Sequence, residues 1–107
     1  LERNANLFIG ASVVNLLAGL KADLCILGAN AFSAEEGLTD LDWEVVQVKK
    51  ALIRSSKKVA VISISEKLNT VKWLNICSAG QVDWLITELD PSDPLLQPYT
   101  DKGIAVL

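Results

Sequence analysis

Residues 59–67 read Val-Ala-Val-Ile-Ser-Ile-Ser-Glu-Lys and change from apolar to charged within one step. A run this rich in β-branched residues predicts a strand that is covered on both faces, as in a parallel sheet. Such sheets hold their ligands just beyond the carboxyl ends of the strands. We therefore place Ser65, Glu66 and Lys67 first among the candidate binding residues. The alternative is that these three residues only cap the element after the strand.

The chain has the length and apolar content of one small domain: 107 residues, of which 50% are hydrophobic. It begins without an initiator methionine and ends on an apolar run at 104–107, so we interpret it as a piece of a longer protein. The formal charge of −3 argues against a nucleic-acid surface on this segment. Seven of the ten basic residues lie within 49–72, and we interpret most of them as the solvated carboxyl-terminal half of one helix.

Several classes of site are excluded by residue usage. The sequence contains no histidine, which removes imidazole bases, histidine-activated nucleophiles and nearly every zinc site. Cys25 and Cys77 lie far apart inside apolar runs, so we expect free, buried thiols. No stretch has the composition of a signal peptide or a membrane span. We expect a cytoplasmic protein with no metal, no cofactor and no membrane partner.

The order of predicted elements indicates a parallel α/β unit. Residues 24–27 form a short apolar strand that ends at Gly28, 31–40 form the longest loop, a helix covers 42–56, and the strand at 59–64 follows at once. Strand, loop, helix and strand in this order predict a βαβ crossover within one parallel sheet. The fold class is therefore a layered α/β domain with a mostly parallel sheet.

The other predicted elements are less regular. Leu41, Val45, Val48 and Leu52 have the spacing of a buried stripe on the 42–56 helix. Residues 71–77 suit either a short strand or a packed loop, and 84–87 form another strand. Ser92 or Asp93 caps a helix over 95–101 that ends at Gly103, and 104–107 form the last strand. An earlier helix is predicted to begin at Ser12.

Gly28 and Asn30 follow the first strand and join the candidate site. A glycine there lets the backbone approach another group closely, and the Asn30 amide can both donate and accept hydrogen bonds. The alternative role of Asn30 is to bond the backbone of its own turn.

Five motifs follow one another along the chain. They are Asp-Leu-Cys-Ile-Leu-Gly-Ala-Asn at 23–30, Gly-Leu-Thr-Asp at 37–40, Val-Val-Gln-Val-Lys-Lys-Ala-Leu-Ile at 45–53, Ser-Glu-Lys at 65–67 and Asp-Trp-Leu-Ile-Thr-Glu at 83–88. In order and spacing they resemble the sensor domain of DeoR-family bacterial transcriptional regulators. The resemblance covers nearly the whole chain from about residue 22.

The resemblance implies a domain of the ribose-5-phosphate isomerase and CoA-transferase-like fold, incomplete here, that binds a phosphorylated sugar. It also implies a homo-oligomeric repressor of a sugar-metabolism operon, which binds operator DNA through an N-terminal winged helix-turn-helix. That segment and the family's Gly-Thr-Thr phosphate loop lie upstream of these motifs, so we expect residues 1–107 to be a carboxyl-terminal portion without them. The turns at 28–30 and 37–39, which include Gly28, Asn30 and Thr39, and the lysine Lys67 match family motif positions. Many members have Asp-Ser-Ser-Lys at 64–67 and an acid at 45, where this chain has Glu66 and Glu44.

Three functions fit these residues, and we favour the first. In an effector sensor, Lys67 pairs with the phosphate while Asn30, Thr39 and Glu66 bond sugar hydroxyls. In an isomerase of the same fold, Glu66 or Glu44 is the base and Lys67 stabilises an enediolate. In an oligomerisation module, exposed tryptophans form the interface; the candidates are Trp43, Trp73 and Trp84. We therefore predict a binding protein with no catalytic residue, whose ligand site comprises Gly28, Asn30, Thr39, Glu44, Ser65, Glu66 and Lys67.

Overall fold

Two sheets of opposite type organise the computed structural model, which describes Gly19 and residues 21–107. Four parallel strands form the larger sheet, in the order β1 (Ala22–Gly28), β4 (Ser56–Ile62), β6 (Trp84–Ile86) and β7 (Ala105–Val106). Three antiparallel strands form the smaller sheet, in the order β2 (Ala31–Ser33), β3 (Gly37–Asp40) and β5 (Leu74–Cys77). The predicted α/β class with a mostly parallel sheet is confirmed. The helix predicted from Ser12 lies outside the described residues.

The helix of the predicted βαβ unit, α1 (Trp43–Arg54), contacts strands of both sheets. Asp42 begins it by accepting hydrogen bonds from the backbone amides of Glu44 and Val45. Its fully buried residues are Val46 and Ala51.

The predicted stripe on this helix is wrong at one end. Leu41 precedes the helix and is 54% exposed, whereas Val45, Val48 and Leu52 are half-buried. Val46 and Ala51 are five positions and therefore about 140° apart around the helix, so they lie on either side of the predicted stripe. This wide buried surface fits a helix that contacts strands of both sheets.

The prediction of a loop over 31–40 is wrong, because this segment is the β2–β3 hairpin. The Ser33 hydroxyl accepts a hydrogen bond from the Glu36 amide and closes the connection between the strands. Gly37 then begins β3 with a φ of +78°, in the left-handed region that favours glycine. Phe32 and Leu38 pair across the hairpin and are both fully buried. The hairpin thus contributes two large side chains to the core.

One face of the parallel sheet is open in the described part of the chain. Cys25, Leu27, Val59, Val61 and Leu85 are buried in the core. The alternate residues of the same strands remain accessible, with exposures of 44% for Leu24, 56% for Ile26 and 47% for Ile62. The predicted continuous burial of 59–64 therefore holds for 59–61 and Ser63 and fails at Ile62 and Ile64, which are exposed.

The carboxyl-terminal segment returns to the parallel sheet. Asp93 caps a 3₁₀ turn (Pro94–Leu96) that continues into the short helix α2 (Gln97–Thr100). Gly103, at φ +88°, follows this helix, as predicted. Only Leu74–Cys77 of the ambiguous 71–77 segment is a strand.

The cysteines are free and buried, as predicted. Burial raises the pKa of the Cys77 thiol to about 11. Of the tryptophans, Trp73 and Trp43 are exposed and Trp84 is half-buried. None of the described helices is both long enough and apolar enough to cross a bilayer.

Candidate functional site at the carboxyl edge of the parallel sheet

The carboxyl ends of three parallel strands lie side by side. Gly28 of β1 pairs with Ile62 of β4, which pairs with Ile86 of β6. The segments just beyond the strands stay together, because the Ala29 amide donates to the Ile62 carbonyl and the Ser63 amide donates to the Ile86 carbonyl, both at 2.9 Å. The structure thus brings the post-strand segments that carry Asn30, Ser65–Lys67 and Glu88 to one edge, where parallel sheets hold ligands.

Glu88 holds the start of the 3₁₀ turn Ser65–Lys67. Its carboxylate accepts hydrogen bonds from the Ser65 amide, at 2.8 Å, and from the Ser65 hydroxyl. The hydroxyl of Ser65, followed by its amide, lowers the pKa of the Glu88 carboxyl below its ordinary value. Glu88 is the last residue of the 83–88 motif, but its contact with Ser65 was not predicted from the sequence.

The two charged side chains of this turn have no partner in the part of the chain that the structure describes. Lys67 is half-buried and Glu66 is exposed. Among the described residues, neither side chain makes a hydrogen bond or an ion pair. The turn therefore presents one ammonium group and one carboxylate that are available to a ligand.

A second polar cluster joins the end of β1 to α1. The Lys49 ammonium donates to the Gly28 carbonyl at 2.6 Å and lies 3.9 Å from Asp40 Oδ2. Asp40 Oδ1 accepts hydrogen bonds from Asn30 Nδ2 at 3.1 Å and from the Leu41 amide at 2.6 Å. The exit of β1, the end of β3 and the middle of α1 are therefore tied together at this edge.

Burial and hydrogen bonding act in opposite directions on these two ionisable groups. Burial alone would raise the pKa of Asp40, but the Asn30 amide, the backbone amides of Leu41 and Asp42 and the charge of Lys49 outweigh it and lower that pKa. Burial lowers the pKa of Lys49, and Asp40 offsets part of that effect.

The interpretation of Lys49 as solvated is wrong, since its side chain is only 18% exposed. Helical spacing could have predicted this partial burial, because Lys49 lies three residues after the buried Val46 and so faces the same side of α1. Lys57, predicted within the basic half of the helix, lies in β4 instead.

Two predicted site residues occupy other positions around this edge. Thr39 is 3% exposed, and its hydroxyl accepts a hydrogen bond from the Lys72 amide at 2.8 Å. Glu44 lies in the first turn of α1, half-buried, and its carboxylate makes no hydrogen bond or ion pair with a described residue. In the described part of the chain no three acidic, cysteine or histidine side chains are grouped as metal ligands would be.

The model of the DeoR C-terminal sensor domain matches residues 1–89. The chain belongs to this family. A similar protein is the HTH-type transcriptional regulator GolR of Listeria innocua, 30% identical over 86% of this chain and 36% of its own length. The glycerol-3-phosphate regulon repressor of Haemophilus influenzae is 32% identical over 74% of the chain and 31% of its own length. The HTH-type transcriptional repressor GlcR of Bacillus subtilis is 25% identical over 100% of the chain and 41% of its own length.

This DeoR-family sensor domain therefore spans between about a third and two fifths of the curated relatives that it matches. Those relatives carry the names of transcriptional regulators. The identification confirms the predicted family and its layered α/β fold. The predicted ligand-binding residues stay a prediction, now with defined positions.

The Ser65–Glu88 contact of the sensor domain gives a first prediction. Because hydrogen bonds to the ionised carboxylate favour it, we expect the Glu88 carboxyl carbon to titrate below the ordinary glutamate range in an NMR pH series. Ser65→Ala should raise that pKa part of the way back towards the ordinary range, because the Ser65 hydroxyl is lost while the hydrogen bonds from the Ser65 amide and the Thr87 hydroxyl remain. Asp90 is the internal control, because its pKa is lowered by Ser92 instead and should not respond. Unchanged titration of Glu88 in Ser65→Ala would contradict the assigned contact.

Proposed function

We propose that this sensor domain binds a small phosphorylated sugar or polyol at the carboxyl edge of its parallel sheet, as the effector-binding part of a transcriptional regulator. The observation that carries the proposal is the ammonium of Lys67, which has no partner among residues 21–107, in contrast to Asp40, Lys49 and Glu88 at the same edge. A phosphate would supply the missing anionic partner through charge-assisted hydrogen bonds.

The groups around Lys67 suit the remainder of such a ligand. The Glu66 carboxylate is exposed and can accept hydrogen bonds from hydroxyls. The Asn30 amide donates one hydrogen to Asp40 and keeps a second hydrogen and its carbonyl oxygen for a ligand. Three predicted residues shape the site through hydrogen bonds that fix the surrounding structure: the Gly28 carbonyl accepts from Lys49, the Ser65 amide donates to Glu88, and the Thr39 hydroxyl accepts from the Lys72 amide. Glu44 offers a further carboxylate from α1.

The names of relatives support this choice of ligand class. The Haemophilus influenzae protein is a repressor of the glycerol-3-phosphate regulon. Glycerol 3-phosphate combines one phosphate with neighbouring hydroxyls, which is the chemistry that Lys67, Glu66 and Asn30 can recognise. We propose binding without turnover, in the cytoplasm, within a homo-oligomeric repressor whose helix-turn-helix, outside these residues, contacts operator DNA.

The test is ligand-dependent thermal stability with Lys67→Met. A ligand at about 100 times its dissociation constant stabilises the native state by roughly 2.7 kcal/mol, enough to raise the melting temperature by several degrees. We expect glycerol 3-phosphate, or another member of a sugar-phosphate panel, to do so while its unphosphorylated parent does not. Lys67→Met should abolish the shift.

Lys57→Met is the matched control, because Lys57 is a 77% exposed lysine near the opposite end of β4, with Asp23 as its partner. It should retain the ligand-induced shift. A shift that persists in Lys67→Met would overturn the assigned role of Lys67. Conversion of the sugar phosphate to an isomer during the assay would instead indicate the enzyme alternative.

A further inference from the structure

A buried tyrosine in α2 contacts the segment that carries Lys67. Tyr99 lies beyond the residues 1–89 matched by the family model, and it is fully buried. Its ring packs against Phe32 of β2, with ring centroids 5.1 Å apart and planes tilted by 37°. Tyr99 thus joins α2 to the hairpin beside the candidate site.

The hydroxyl of Tyr99 is placed among polar groups of two chain segments. It accepts a hydrogen bond from the Asn69 amide at 2.9 Å, and two acceptors for its own hydrogen, the Phe32 carbonyl and Asn69 Oδ1, lie at 3.0 Å. Burial is the main cause that raises the pKa of Tyr99 above its ordinary value, so the hydroxyl keeps its hydrogen. A phenylalanine could fill the same space but could make none of these bonds.

Asn69 is the residue at which the Lys67 segment turns. Its φ of +58° places it in the left-handed region, which asparagine adopts more readily than most residues. On one side of it, the Leu68 amide donates to the Ser65 carbonyl. On the other, the Thr70 hydroxyl donates to the Lys67 carbonyl at 2.6 Å. Fixing Asn69 therefore fixes the backbone on both sides of Lys67.

We propose that Tyr99 is a positioning residue of the effector site, which holds residues 65–70 so that Lys67 is preorganised for an anionic ligand. The inference rests on the function proposed for Lys67. It assigns part of the effector affinity to α2, whose tyrosine bonds the turn and not the ligand. Preorganisation of this kind raises affinity by lowering the ordering cost of binding.

The experiment compares two variants that each remove one hydroxyl from α2. Tyr99→Phe removes the hydroxyl that bonds the turn, whereas Thr100→Val removes one that bonds only the Gln97 carbonyl within α2. We expect Tyr99→Phe to increase the rates of backbone amide hydrogen exchange at Asn69 and Thr70 relative to the wild type. This increase should be about tenfold larger than the increase in the strands β1 and β4. We also expect the affinity of this variant for glycerol 3-phosphate, or the best binder of the panel, to fall about tenfold. Thr100→Val should change neither.

The two readouts separate failure of this inference from failure of the proposed function. If the wild type binds a sugar phosphate and Tyr99→Phe binds it equally well, the positioning role is overturned. If the wild type binds none of them, the proposed function fails, and exchange then decides whether Tyr99 holds the turn. Faster amide exchange confined to residues 65–70 supports the contact between Tyr99 and the turn. Faster exchange spread evenly over the sheet, or equally fast exchange in Thr100→Val, overturns it.

Discussion

Replacing Gly37 by alanine should lower the free energy of unfolding by more than about 3 kcal/mol. An added Cβ would lie 2.0 Å from the Cys77 carbonyl oxygen and 2.9 Å from Ser78 Cα, and both are backbone atoms of the neighbouring segment. The φ of +78° adds a conformational cost for any residue with a side chain. Relief would require β3 and β5 to separate, and their pairing joins the hairpin to the rest of the small sheet.

Gly103→Ala is the matched control for this change. Gly103 has a similar φ of +88°, but apart from its chain neighbours no atom of the described residues lies within 4 Å of the Cβ position. Only the conformational cost remains there, about 1–2 kcal/mol. Urea denaturation of both variants measures the difference. Equal losses of stability would show that the close approach of β3 to the Cys77 carbonyl is not a constraint in solution.

Asp40→Ala should cost about 2–4 kcal/mol of stability. The substitution leaves the half-buried Lys49 ammonium without its carboxylate, and it removes the acceptor used by Asn30 and by the Leu41 amide. Asp42→Ala is the control two residues away, where the loss is that of an exposed helix N-cap, about 1 kcal/mol. If denaturation shows the two variants to be equally stable, the Asp40 cluster contributes no more than a helix cap.

The Asp40 contribution should also depend on pH in a defined direction. Its folded pKa lies below the ordinary value of 3.8, so folding favours the ionised form. The stabilisation is therefore fully present above that ordinary value and is lost as the pH falls through the lower folded pKa. The stability difference between wild type and Asp40→Ala should stay constant as the pH falls from neutral and should shrink only below the ordinary value of 3.8. A difference that grows on acidification would contradict the assigned ionised state.

The βαβ core was predictable because its signals are local. The apolar run at 59–64 and the helical period of 42–56 each identify an element without knowledge of its partners, and their order implies parallel pairing. The position of Ser65–Lys67 at the carboxyl edge followed from that pairing alone. The resemblance of the chain to a known family added the predicted ligand class, which no local pattern contains.

The missed features depend on contacts between distant residues. The β2–β3 hairpin is short and carries no strongly alternating pattern, and its order comes from the burial of Phe32 and Leu38. Lys49 was assigned to solvent because a lysine near a helix carboxyl terminus usually lies there, but the Gly28 carbonyl and the buried Asp40 carboxylate hold its ammonium group. Tyr99 meets Asn69 only once the whole chain is folded.

The pairing of β1 with β4 also determines how long the edge of β1 stays unpaired while the chain is being synthesised. Gly28 pairs with Ile62, so the apolar residues 24–27 leave the exit tunnel well before the strand that covers their hydrogen-bonding edge has been made. At roughly 5–20 residues per second, that interval lasts seconds. Meanwhile the nascent chain can close the β2–β3 hairpin, whose partners are near neighbours in sequence. Among the described strands β7 (Ala105–Val106) is made last, so the parallel sheet is the later of the two sheets to be completed.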